Sequence, residues 1–419
     1  MKKWISRKSI FAHLFFLRFG KDFLSGPTKS ITHRNGDKKT AKSTRRVIIV
    51  VGMLASPHLH SWIDGMVESS KDIKIWIFPS DCPEKKYIKA DRQIRAFPFI
   101  FLGKITNYSF RALDLIFARL WRTYFLHLLI KFVSPTHLHF HELQHGAYLY
   151  NAVANHPKNE FSGTTITSTW GSDLLVYGNI DADKAHIVNV LSWTHILTAE
   201  RRDDFEIAAK LGFKGEFQAP IYITVGNRNP NSPHMDISQR NSVMIKGYQD
   251  SHGRALNALQ AVVETSKKLD LSKFTFYVYS ASKPVQLQME LFRVEFGINF
   301  IALPRMPKKQ LMHYFDNARV YIGLAISDGL STSMVEAMAH GTFPIQSRNS
   351  AASDFLVNGV SGGIVDPWDI SGISSILKLA LTDDSLFYQA SNLNQQTLLR
   401  KYNWDEGVIR IQNLYSSIH

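Results

Sequence analysis

Cysteine is nearly missing from this chain: Cys82 stands alone among 419 residues, which excludes an intramolecular disulfide and suits a reducing compartment. Long apolar runs are missing too. The longest uncharged stretch near the N-terminus, residues 9–17, falls well short of the roughly 20 residues that a membrane-spanning helix needs. Arg18, Lys21 and Asp22 follow it without a clear small-residue cleavage site, which argues against a cleaved signal peptide. No low-complexity array or short-period repeat is present, so a solenoid is excluded.

Acidic residues are scarce at one end. Residues 1–46 hold 13 Lys or Arg against Asp22 and Asp37, a balance of +11 out of the whole chain's +14. Within that stretch, residues 1–24 mix bases with Trp4, Ile5, Ile10, Phe11, Leu14, Phe15, Phe16, Leu17 and Phe19, whereas residues 25–46 are polar. The first part reads as an amphipathic helix on an anionic membrane surface and the second as a linker. A targeting presequence and a disordered basic tail are the alternatives. Residues 92–133 repeat the basic and aromatic theme, and Arg111 to Val133 is long enough for six helical turns, either in the core or at the lipid interface. No recognised module accompanies the charge, so nucleic acid is not the expected partner.

What remains is ordinary globular sequence, 45% apolar, too long for one hydrophobic core. Short apolar runs alternate with helical stretches, as a doubly wound α/β fold requires. Strands are expected at residues 47–51, 73–78, 137–140, 164–168 and 195–198, and again at 242–245, 275–279, 299–302, 320–324 and 343–346. Residues 224–240, rich in Asn, Pro and Ser, read as a hinge.

Chemistry concentrates in Ser327 to Ile345. A small-residue turn carrying Asp328 and Gly329 runs into a helix carrying Glu336, with seven residues between the two carboxylates. The unpaired N–H groups of a helix start favour an anion, and Leu330, Ser331, Thr332 and Ser333 line that start. A capping box between Ser333 and Glu336 is the plainer reading. His137, His139 and His141 alternate along one strand; a zinc site is disfavoured because they would spread over ~13 Å. Asp181-Ala182-Asp183 precedes a helical stretch and reads as a cap.

This pattern resembles the donor-binding signature of retaining GT-B glycosyltransferases, family 4 (glycosyl transferases group 1) in particular. Asp328 stands where that family usually has Glu. The resemblance continues through Glu336-Ala-Met-Ala-His-Gly, Pro344-Ile345, Asp354, Asn358-Gly359 and Gly362 to Pro367. It implies a GT-B architecture, two Rossmann-like doubly wound domains facing across a cleft. The expected boundaries are an N-terminal segment 1–45, an acceptor domain 46–225, a hinge 226–240, a nucleotide-sugar domain 241–395, and a C-terminal helix 396–419 that crosses back.

The roles it implies are these. Glu336 binds the ribose of a nucleotide-sugar; Asp328 and residues 329–333 hold the sugar; His141 lies near the sugar or acceptor. Lys246, Gly247, His252, Gly253 and Arg254 form an atypical phosphate loop in which Lys246 and Arg254 are the available cations, with Arg305 near the base. Gly52, Ser56, Trp170, Asp173 and Glu200 line the acceptor side. No cofactor and no obligate metal are implied, since the nucleotide-sugar is a co-substrate. The expected activity is a retaining transfer to a lipid-linked saccharide or envelope polysaccharide, such as lipopolysaccharide, at the inner, cytoplasmic membrane face. A sugar-nucleotide epimerase, an inverting transferase and a catalytically silent membrane-bound module are the alternatives.

Overall fold

The computed structural model describes residues 46–81, 91–96, 120–154, 161–223 and 236–416. The basic N-terminal segment, Cys82, residues 97–119 and most of the expected hinge lie outside them.

The apolar runs form two parallel sheets. The first comprises β1 (Arg46–Gly52), β2 (Ile73–Pro79), β3 (Ile94–Ala96), β4 (His137–His141), β5 (Thr164–Thr169), β6 (Ile196–Ala199) and β7 (Glu216–Gln218), in the order β3-β2-β1-β4-β5-β6-β7. The second comprises β8 (Ser242–Lys246), β9 (Thr275–Tyr279), β10 (Phe300–Ala302), β11 (Ala318–Gly323), β12 (Phe343–Ser347) and β13 (Gly363–Val365), in the order β10-β9-β8-β11-β12-β13. Both orders reverse direction next to the first strand of the sheet, between β1 and β4 and between β8 and β11. Those are the points where doubly wound sheets open a crevice for ligands.

The strands read as continuous apolar runs because helices cover both faces. Ile48 to Val51 of β1 and Val243 to Ile245 of β8 are fully buried. Among the three-residue edge strands, β3, β7 and β13 escape sequence reading, whereas β10 falls within the strand expected at residues 299–302. Of the 111–133 stretch, the helix Leu120–Val133 is described; it buries Arg122, whose guanidinium donates to the Pro79 and Asp81 carbonyls. Asp181 and Asp183 lie inside the helix Asp181–Trp193 rather than at its N-cap, which is Ile180.

The chain returns to the first sheet through its last helix, Trp404–Leu414, capped by Asn403 and packed on the helix Pro57–Ser69. Gly65 permits that crossing, since a Cβ there would lie 2.8 Å from Ile411 Cδ1. Tyr415 ends the crossing fully buried. Its hydroxyl receives Trp62 Nε1–H at 3.0 Å and meets His139 Nδ1 at 2.5 Å, while His139 Nε2 meets Ser168 Oγ at 2.7 Å. Burial, followed by the neighbouring imidazoles, pushes the His139 pKa well down, so the ring is neutral and the chain of bonds runs Trp62 to Tyr415 to His139 to Ser168. His139 is a structural residue, as is His137, which is buried with Nδ1 2.9 Å from Thr136 Oγ1.

Candidate functional site

The C-terminal ends of β1, β4, β5 and β6 face those of β8 and β11, and loops from the two sheets touch. Gly171 sits at φ +103°, and a Cβ on it would lie 2.4 Å from the backbone of Asp328 and Gly329. Gly329 is similarly tight, 2.2 Å from a Glu200 oxygen. Two glycines thus let backbone meet backbone across the cleft. Arg202 pairs with Asp354 at 3.1 Å, and the Tyr222 hydroxyl donates to the same carboxylate.

On the second-sheet side, Lys246 ends β8 with its ammonium 3.5 Å from Asp328 and 5.3 Å from the centre of the Tyr248 ring. Burial works most strongly against that charge, but Asp328 together with Tyr321 and Tyr248 outweighs it and the pKa rises above its ordinary value. Ser331 occupies the N-cap of the helix Thr332–Ala339, yet its hydroxyl caps nothing and is buried. The capping box is not formed: Glu336, 6% exposed, takes Lys308 at 2.6 Å instead. Burial raises the Glu336 pKa and Lys308 opposes the rise.

The loop after β8, expected to hold phosphate, is pinned by Asp250, whose carboxylate accepts the His252 and Gly253 amides; these bonds hold its pKa down. Gly247 is buried, and His252 Nδ1 meets Ser251 Oγ at 2.9 Å. The two expected cations are not equivalent here. Lys246 faces Asp328, whereas the Arg254 guanidinium lies over Trp368 at 4.8 Å and donates to the Asp250 and Gly253 carbonyls. The helix behind this loop begins at Ala255, with Arg254 rather than Gly253 at its N-cap. Arg305 is exposed in the turn before Lys308.

On the first-sheet side, the loop after β1 is fixed by Asp81, which accepts the Leu54 and Ala55 amides. Gly52 and Ser56 are buried beneath it, and a Cβ at Gly52 would lie 3.1 Å from His141 Cβ. His141 is fully buried, enclosed by Trp62 at 5.1 Å, Trp170 at 5.5 Å and His139 at 4.2 Å, with neither ring nitrogen hydrogen-bonded. Burial and the nearby His58 lower its pKa to about 3. The expectation that His141 emerges into the cleft is therefore corrected: Trp170 roofs it. Asp173 is likewise a clamp rather than a wall of the cleft, since it is 4% exposed and accepts the Leu143 and Trp170 amides at 2.7 Å each. Its pKa rises to about 6, mainly through burial.

Glu200 reaches between the sheets. One oxygen accepts the Leu330 amide at 2.8 Å, and the other lies 3.6 Å from His58 Nδ1. His58, Trp62, Trp170, Ser168, Thr198 and Glu200 line a pocket there, closed on its far side by Ile221 and Ile223. Sequence reading passed over His58 and Lys308. Both sit in unremarkable loop sequence, and only the carboxylates they meet, 142 and 28 positions away, mark them.

Residues 280–397 match the family model described as glycosyl transferases group 1. No match was found among curated protein sequences. Among solved structures, the chain resembles sucrose-phosphate synthase from Thermosynechococcus elongatus (TM-score 0.66, 13% identity, covering 89% of this chain and 98% of that one). It also resembles HepE of Anabaena in complex with UDP and glucose (0.60, 12%, 88% and 99%). A third is the lipopolysaccharide outer core galactosyltransferase WaaB (0.61, 14%, 88% and 98%). The two facing sheets thus have the GT-B fold, and residues 280–397 resemble the glycosyl transferases group 1 family.

Proposed function

We propose that this chain is a retaining, family 4-type glycosyltransferase that moves a sugar from a nucleoside-diphosphate donor to a lipid-linked or envelope saccharide. The observation that carries the reading is the half-buried ammonium of Lys246, set against Asp328 beside a helix start whose second carboxylate, Glu336, lies one turn further on. A departing diphosphate needs its charge met as the glycosidic bond breaks, and a fixed ammonium plus helix-start amides supply that without reorganisation. In the front-face path the diphosphate oxygen, once free of the anomeric carbon, takes the proton of the attacking hydroxyl. Glu336 holds the ribose and Asp328 the sugar, while Gly329 to Ser333 bring backbone to the ligand. Uridine is the base favoured, since HepE binds UDP.

Membrane association rests on the +11 segment at residues 1–46 and on Leu120, Tyr124 and Phe132, exposed with Lys131 on one helix. Among the described residues no helix is long and apolar enough to cross a membrane.

The test is a thermal-shift panel of nucleoside diphosphates and nucleotide-sugars. A ligand at 100 times its Kd adds about 2.7 kcal/mol to the folded state. UDP is expected to stabilise the wild type and to have no effect on Glu336→Ala. No stabilisation by any member of the panel refutes the donor site.

A further inference from the structure

Of the ionisable groups in the cleft, His58 has no place in the donor chemistry and no family motif to explain it. It stands at the second position of the helix Pro57–Ser69, directly after the loop that Asp81 pins. Its ring packs 5.3 Å from Trp170 and its side chain is 27% exposed. Nδ1 is buried and faces Glu200 Oε1 at 3.6 Å, while no protein group among the described residues takes Nε2. The charged and titratable groups around it come from four elements: Glu200 after β6, Asp328 after β11, Lys246 at the end of β8, and His141 at the end of β4. His141 is neutral, so the charges that act on this ring are Glu200, Asp328 and Lys246, the last two paired with each other.

We infer that His58 receives the attacking hydroxyl of the acceptor and that Glu200 is the residue that positions it, an assignment that rests on the glycosyl-transfer reading above. With Nδ1–H directed at Glu200, the Nε2 lone pair is turned to the cleft and accepts the hydroxyl's hydrogen bond, which aims an oxygen lone pair at the anomeric carbon. The bond from that oxygen to the anomeric carbon forms as the bond to the diphosphate oxygen breaks. The electron pair leaves with the diphosphate; the hydroxyl proton moves to Nε2 as the new bond forms and passes from the imidazolium to the diphosphate. The imidazole holds the nucleophile and is not consumed, so only its neutral form works.

Because the second oxygen of Glu200 is held by the Leu330 amide, the imidazole is aligned only when the loop after β11 is docked.

Burial lowers the His58 pKa, but Glu200 and Asp328 outweigh it and the net shift is upward from 6.5. The full chain, labelled with 15N histidine, reads this directly, with the His58 signal identified by its loss in His58→Gln. The expected result is an Nδ1–H tautomer titrating above 6.5, with the midpoint falling in Glu200→Gln. An Nε2–H tautomer, or a midpoint that Glu200→Gln leaves in place, overturns the assignment.

The functional arm is hydrolysis of whichever UDP-sugar stabilises the chain, with water as acceptor. The rate should rise through the His58 midpoint as pH rises, and that limb should move to lower pH in Glu200→Gln. His58→Gln and His58→Asn should lose about 10²-fold in kcat, the low end of the range for a proton-handling side chain, with the UDP thermal shift intact. Wild-type hydrolysis by both His58 variants overturns this inference alone. Absence of stabilisation by every nucleotide overturns the transferase reading, and this inference with it.

Discussion

Replacing Tyr415 by Phe removes one oxygen from the seam where the C-terminal helix docks on the first sheet. The ring stays, so its packing against Trp62, His137 and His139 is kept. The oxygen accepts from Trp62 Nε1, shares a hydrogen bond with the neutral His139 Nδ1 and lies 3.5 Å from Met66 Sδ. Tyr415 and His139 are fully buried and Trp62 is 5% exposed, so water cannot replace the lost bonds. An orphaned buried donor or acceptor costs about 1–3 kcal/mol, so two of them cost about 2–6 kcal/mol. Urea unfolding followed by tryptophan fluorescence measures this. A cycle with Trp62→Phe separates the bond to Trp62 from the bond to His139. A Tyr415→Phe loss below about 0.5 kcal/mol would show that the hydroxyl is not the tie between chain end and first sheet.

Gly171→Ala should be destabilising by on the order of 1–3 kcal/mol, since φ +103° and a backbone contact at 2.4 Å both resist a side chain; a thermal midpoint equal to the wild type would mean the two loops do not meet. Asp204, buried and donated to by Thr169, has its pKa raised from 3.8 to about 7 by burial despite Arg201. Its neutral form therefore stabilises the fold fully below about pH 4, and that stability is lost as pH rises towards 7. Asp204→Asn should become the more stable of the two above pH 7, by at most about 4 kcal/mol, and denaturation at pH 4 and 8 checks the sign. Arg202 is 72% exposed, so Arg202→Ala should change stability by less than about 1 kcal/mol despite its 3.1 Å ion pair with Asp354; a larger loss in urea unfolding would mark that pair as a true inter-sheet tie.

The segment proposed to hold the donor drew attention in the sequence because its chemistry is local. Asp328, the helix start and Glu336 lie within one short segment, and the apolar runs of β8, β11 and β12 that carry them stand out as buried parallel strands. His141 shows where such reading fails. Strand alternation places His137, His139 and His141 on one side, but whether the last ring meets solvent depends on Trp170, which arrives from β5 in another part of the chain. Asp173 has the residue type of a ligand contact, and only the Leu143 amide, 30 positions away, shows that the carboxylate is occupied.

By itself the sequence determined two parallel α/β sheets, a carboxylate-bearing helix start and a basic N-terminal end, because apolar periodicity, helix caps and charge are properties of neighbouring residues. Tertiary structure alone decided which cation faces Asp328, that Glu336 meets Lys308, and that His58 and Glu200 stand together beside the Leu330 amide. Those pairings join residues from loops of different strands. Two doubly wound sheets bring such loops together at their switch points, where no spacing along the chain records who meets whom.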